Sequence, residues 1–129
     1  MSARFDPDLR ITSIRRQGAD VFVSGVTALP DGARLRCQVW RGGPEGPFAE
    51  LRKAETTVRA GDFECRFPAS DLEGAVSAAV ALVAGGHQPL AVQEKVGLAG
   101  DALAYADAVE ADGSRVVVAV LESRLPASD

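Results

Sequence analysis

The chain has 129 residues, 47% of them hydrophobic, and a formal net charge of −4 at pH 7. One domain of this length buries roughly two thirds of the surface its unfolded form exposes, so it can build a core without metals or staples. The acidic balance speaks against a duplex-DNA or anionic-membrane binder, which needs a dominant basic field, and no apolar run reaches the ~18 residues of a membrane span.

Lys53 and Lys95 are the only lysines, against twelve arginines. With abundant Ala, Gly and Val, this composition points to a bacterial protein from a GC-rich genome. The N-terminal stretch Met-Ser-Ala-Arg-Phe-Asp-Pro-Asp-Leu carries no apolar signal-peptide core. Retention in the cell, a trimmed chain and assembly into a larger particle all fit, so the compartment stays open.

The pattern predicts strands from the first element on. Asp8–Arg16 is a strand with Leu9, Ile11 and Ile14 inward. Asp20–Thr27 follows, carrying Val21, Phe22 and Val23. Pro30-Asp31-Gly32 then reads as a turn: Pro30 sets φ, Asp31 can bond its own backbone, and Gly32 tolerates φ > 0. Ala33–Arg41 alternates, with Leu35, Cys37 and Val39 on one face and Arg34, Arg36, Gln38 and Trp40 on the other. A period of two is a half-buried strand. Gly42-Gly-Pro-Glu-Gly-Pro47 excludes regular structure.

Phe48–Arg59 is ambiguous, since Leu51, Ala54 and Val58 suit a helix while Glu55-Thr-Thr-Val-Arg59 is β-prone. Its second half is expected to be a strand. Ala60-Gly-Asp62 is a tight turn, and Phe63, Cys65 and Phe67 alternate with charged residues. Pro68–Gly74 is a loop with room for one helical turn capped by Ser70. Val76–Val83 alternates, and small residues on its second face suggest close coverage by something else. Leu90–Asp101 is irregular or briefly helical. Leu103, Tyr105 and Val109 share one phase of a further strand, Ala111-Asp-Gly113 is a hairpin signal, and Ser114–Glu122 is a strand covered on both faces. The tail Pro126–Asp129 should fray.

Turn signals this frequent, without a long amphipathic helix, imply an antiparallel sandwich or barrel forming one domain over residues 1–129, with its core at about 8–122. The expected core is Ile11, Val21, Val23, Leu35, Val39, Phe63, Phe67, Val80, Leu82, Val118 and Val120.

The stretch Gly25-x-Thr-x-Leu-Pro-Asp-Gly32 between two strands resembles small immunoglobulin-like β-sandwich domains of bacterial surface and lipoprotein-type proteins. Val96-Gly97-Leu-Ala-Gly100-Asp-Ala-Leu103 and the closing Ala-Asp-Gly hairpin are similar to that family too. Ala33 stands where the family has Thr, and the N-terminus has no lipid-acceptor cysteine. The resemblance implies an immunoglobulin-like antiparallel sandwich of seven or eight strands. It implies a structural or binding module and carries over no catalytic residue.

The chemistry-bearing residues are few. One histidine, His87, and two separated cysteines do not make a zinc site. Asp31, Asp62, Asp71 and Asp112 sit in turns, where aspartate is the ordinary residue as well as a calcium ligand. Cys37 or Cys65 with His87 would be the only nucleophile pair, but both cysteines lie on inward phases. They are expected as buried thiols, with a disulfide closing a loop of about thirty residues as the alternative. The Val96–Asp101 segment lacks the spacing of a phosphate cradle and reads as a loop needing φ > 0.

The candidate interaction surface is the outward phase Arg34, Arg36 and Trp40, residue types enriched at binding hot spots. The competing reading folds Trp40 under the Gly42–Pro47 loop. The expected function is a non-catalytic bacterial module that binds a protein partner or self-assembles, with no enzyme activity, cofactor, metal, nucleic acid or membrane insertion. A structural component of a phage particle, such as a decoration or tail protein, is the first alternative. A small-ligand binder or enzyme in a β-barrel is the second.

Overall fold

The computed structural model describes residues 4–83, 87–110 and 113–127. Among these, eight strands and one short helix follow one another: β1 (Arg10–Gln17), β2 (Asp20–Val26), β3 (Arg34–Arg41), β4 (Ala49–Thr57), β5 (Asp62–Pro68), β6 (Gly74–Val83), α1 (Leu90–Val96), β7 (Ala108–Val109) and β8 (Arg115–Leu125). They form two antiparallel sheets, β1-β2-β5 and β4-β3-β6-β8-β7. The architecture is an open all-β sandwich rather than a barrel. The core lies between the sheets, where alternate residues of both meet.

Strand phase explains most of that core. Val21, Val23, Leu35, Val39, Phe63, Phe67, Val80 and Leu82 are all buried. Ile11 is half-buried against the core, and Ile14 is buried although the two lie three positions apart. A bulge between Ile11 and Ser13 re-phases β1, so both isoleucines point inward. Leu72, in the turn before β6, is fully buried as well. The Arg16 guanidinium holds that turn by donating to the Ala69 and Leu72 carbonyls. The turn does not become helical, so the expected Ser70 cap is corrected.

The expectation for β8 is also corrected. Val118 is half-buried and Val120 is 50% exposed, while Val117 is buried. The run from Val116 to Leu121 is apolar on both phases, so alternation cannot say which phase faces in. Pairing with β6 decides it. Directly opposed residues of an antiparallel pair point to the same face. Val117 opposes Leu82 and Ala119 opposes Val80, both inward, whereas Val118 and Val120 oppose Ala81 and Ala79 on the outer face.

Two further expectations shift. β4 occupies Ala49–Thr57, not only the second half of its segment, with a register shift opposite Val39 and Arg41. Between Leu103 and Val109 only Ala108–Val109 is strand. Leu103 is buried and makes an isolated bridge with Phe5, but Tyr105 and Val109 are exposed. The Ala111–Asp112 part of the hairpin and the Ser128–Asp129 end of the tail lie outside the described residues.

The Gly25–Gly32 motif is structural. A Cβ at Gly25 would overlap the Arg10 carbonyl and the Phe63 ring. Thr27 donates its hydroxyl to the Pro7 carbonyl at 2.6 Å and accepts from the Leu29 N–H at 3.2 Å. Gly32 has φ +87°, as the turn requires. Asp31 does not bond its own backbone; its Oδ1 accepts the Ala60 N–H at 2.8 Å, tying this turn to the one between β4 and β5.

In that second turn, Ala60 and Gly61 both have positive φ, 51° and 81°. A side chain other than Gly, Asn or Asp is strained there. Ala60→Asn should therefore raise the unfolding free energy by about 0.5–1 kcal/mol. Chemical denaturation measures it, and an unchanged or lower midpoint would refute the strain.

Cys37 of β3 and Cys65 of β5 are bonded to each other, so the expectation of two free thiols is corrected. The bond joins the two sheets and both cysteines are buried. A bridge spanning 28 residues stabilises by about 3–4 kcal/mol through the unfolded chain's lost entropy. Cys37→Ala/Cys65→Ala should lose that amount in denaturant titrations. Unreduced protein should present no thiol to a labelling reagent even when unfolded, and two after reduction. Two thiols before reduction would refute the bond.

Candidate functional site

β3 is the centre of the candidate surface. On its outer side Arg36 lies between Glu55 of β4 and Ala81 of β6, and Gln38 lies between Lys53 and Ala79. Beyond β6, Val118 and Val120 of β8 continue these two rows. The outer face of the five-stranded sheet is therefore polar on β4 and β3 and apolar on β6 and β8.

Trp40 shares this phase but does not share the surface. It is 2% exposed. The Gly42–Phe48 loop folds over it: its Nε1–H donates to the Gly43 carbonyl at 2.8 Å, and Phe48 meets it edge-on at 5.0 Å between ring centres. The loop is pinned by Ser77, whose hydroxyl donates to the Gly42 carbonyl at 2.8 Å, and by the Gly42 N–H donating to Ala75 at 2.9 Å. The expected Arg34–Arg36–Trp40 surface is corrected to this extent: the arginines are exposed and the indole is not.

Arg34 and Arg36 meet different neighbours instead. With Glu55, Val83, His87 and Gln88 they line a pocket of about 320 Å³ at one end of the outer face. The far wall is held by Gln88, a buried side chain that mimics a strand partner. Its Oε1 accepts the Arg34 N–H at 2.8 Å, and its Nε2 donates to the Arg34 carbonyl at 2.9 Å and the Val83 carbonyl at 3.1 Å. Gln93 of α1 donates to the Gln88 carbonyl at 2.7 Å. The loop before α1 is thus fixed to β3, and His87 is carried to the pocket. Ala84–Gly86, the rest of that loop, lies outside the described residues.

The two arginines of the pocket differ electrostatically from five of the ten others, of which Arg10 pairs with Asp8. Arg15, Arg41, Arg52 and Arg66 pair with Glu64, Glu50, Asp71 and Asp20. Arg52 reaches both Asp71 oxygens at 2.7 Å, and this hydrogen bonding holds the Asp71 carboxyl below the usual carboxylate range. Among the described residues, neither the Arg34 nor the Arg36 guanidinium has a carboxylate in ion-pair reach, although Glu55 stands opposite Arg36 in register.

The outer face of the three-stranded sheet is the opposite case. Arg15 stacks over the Phe22 ring at 4.8 Å and pairs with Glu64 at 2.8 Å, Ser24 also donates to Glu64, and Arg66 pairs with Asp20. Its arginines are each paired with a carboxylate.

Asp31, Asp71, Cys37 and Cys65 have structural employment. Asp31 and Asp71 are occupied as described, and among the described residues no group of three His, Cys, Asp or Glu side chains gathers. Asp112 lies outside the described residues. Cys37 and Cys65 are tied up in their bond. Gly97 and Gly100 have φ +83° and +79°, the loop conformation expected of them. No protein-family model matches the chain, and no curated protein matches it.

Proposed function

We propose that this protein is a non-catalytic bacterial interaction module with an immunoglobulin-like sandwich, working through the outer face of its five-stranded sheet. One observation carries the reading: the contrast between the two outer faces. On the three-stranded sheet each arginine of the face has an acidic partner. On the five-stranded sheet Arg34 and Arg36 have none among the described residues, and the adjoining Ala79, Ala81, Val118 and Val120 leave an apolar strip with Val120 50% exposed. Small side chains on that strip let another surface approach closely, and unpaired arginines beside apolar area are the composition of a recognition patch.

The strand order supports the immunoglobulin-like reading. β1-β2-β5 against β4-β3-β6-β8 is an arrangement such sandwiches use. The bond between Cys37 and Cys65 supports an oxidising compartment such as the cell envelope.

The test is photo-crosslinking in the cell that makes the protein. A photoreactive residue at Gln38, on the proposed face, should give a discrete adduct. The same residue at Phe22, on the face whose arginines are paired, should give none. Adducts from Phe22 alone, or from neither, would refute the reading. An adduct with a second copy of this chain would assign the face to self-assembly.

A further inference from the structure

We propose that the pocket bounded by Arg34, Arg36 and His87 holds a carboxylate group carried by a peptide. This rests on the reading of the outer face as an interaction surface and names the chemistry that face recognises. Arg34 and Arg36 are alternate residues of one strand, so their stems leave the sheet on the same side about 7 Å apart. Long side chains at that spacing can converge on one group. A guanidinium presents paired N–H donors whose geometry matches a carboxylate's two oxygens.

Lining charge selects the anion. Two guanidinium groups oppose the single Glu55 carboxylate, an excess of one positive charge among these three side chains. That suits a monoanion; a doubly charged phosphate would lie against Glu55 uncompensated. The Gln88 bracket makes the site rigid before binding, because Arg34's backbone is fixed on both its N–H and its carbonyl. Val83 in the pocket wall, with Ala81 and Val118 beyond it, offers apolar contact to the residues flanking the carboxylate. The pocket volume, about 320 Å³, is at the small end of ligand sites and fits one acidic side chain or one chain terminus.

The experiment uses the purified, isotope-labelled protein and four probes followed by NMR. Acetyl-Ala-Glu-Val-Ala-amide carries only a side-chain carboxylate. Acetyl-Ala-Gln-Val-Ala with a free C-terminus carries only a terminal one. Acetyl-Ala-Gln-Val-Ala-amide carries none, and inorganic phosphate tests the competing anion. At least one carboxylate peptide should shift the Gln88 side-chain amide and the Arg34 and Arg36 Nε–H signals, and whichever binds more tightly identifies the source of the carboxylate. The neutral peptide should bind at least about tenfold more weakly. Arg34→Gln and Arg36→Gln should each weaken binding about tenfold, whereas Arg124→Gln, the same loss of charge on β8, should not. Equal binding of the neutral peptide, tighter binding of phosphate, or no shift with any probe would overturn the proposal. Carboxylate binding without a crosslink at Gln38 would keep the pocket and remove the interaction reading; a crosslink without carboxylate binding would do the reverse.

Discussion

Trp40→Ala will lower the free energy of unfolding by about 3–5 kcal/mol, the range for emptying a large buried aromatic site. The indole sits between the sheet and the Gly42–Phe48 loop, with its ring against Phe48 and its N–H on the Gly43 carbonyl. Truncation removes the loop's packing and leaves that carbonyl with the Gly46 N–H at 3.1 Å in place of two donors. Trp40→Phe should cost less, since it keeps most of the ring and loses chiefly the hydrogen bond, which contributes about 1 kcal/mol. The fluorescence of the native monomer should already be blue-shifted, independent of concentration. Emission typical of water, together with a loss under about 1 kcal/mol, would mean that the loop does not cover the ring.

Phe67→Ala will cost a comparable 3–5 kcal/mol or so. Phe67 is the largest fully buried side chain. It lies on β5, opposite Val21, in the narrower sheet. Among the described residues β5 is the edge strand of that sheet, with β2 as its one ladder partner. Urea titration gives the number, and the slope should be unchanged if the native state stays compact. Wild-type-like unfolding would mean that the phase of β5 is misread. Phe67 and Trp40 lie in separate layers, one between the sheets and the other outside β3, so the double variant should show nearly additive losses.

The sheet elements were readable where polar and apolar residues alternate. β2, β3 and β5 have one face that is consistently apolar, and a period of two with one such face specifies both strand and phase. Glycine and proline placed the turns for the same local reason: only certain residues adopt the required φ. Phase became undetermined where both faces are apolar, as in Val116–Leu121. Only pairing with β6 placed Val117 inward and Val120 outward. Bulges were equally invisible, because one extra residue leaves no compositional trace; the bulge in β1 is what lets Ile11 and Ile14 share the core.

Of the candidate surface, the residue pattern was enough to show that Arg34, Arg36 and Trp40 leave β3 on its polar side. That follows from local alternation alone. The tertiary structure decided everything about their surroundings. The Gly42–Phe48 loop closes over Trp40 and removes it from the surface. Gln88, fifty-four residues along the chain from Arg34, clamps the strand and carries His87 beside the two arginines. The bond between Cys37 and Cys65 likewise needed two sheets to face each other. Local pattern reports a residue's direction from its own backbone, whereas what it meets depends on contacts between distant segments, which a single strand's periodicity does not encode.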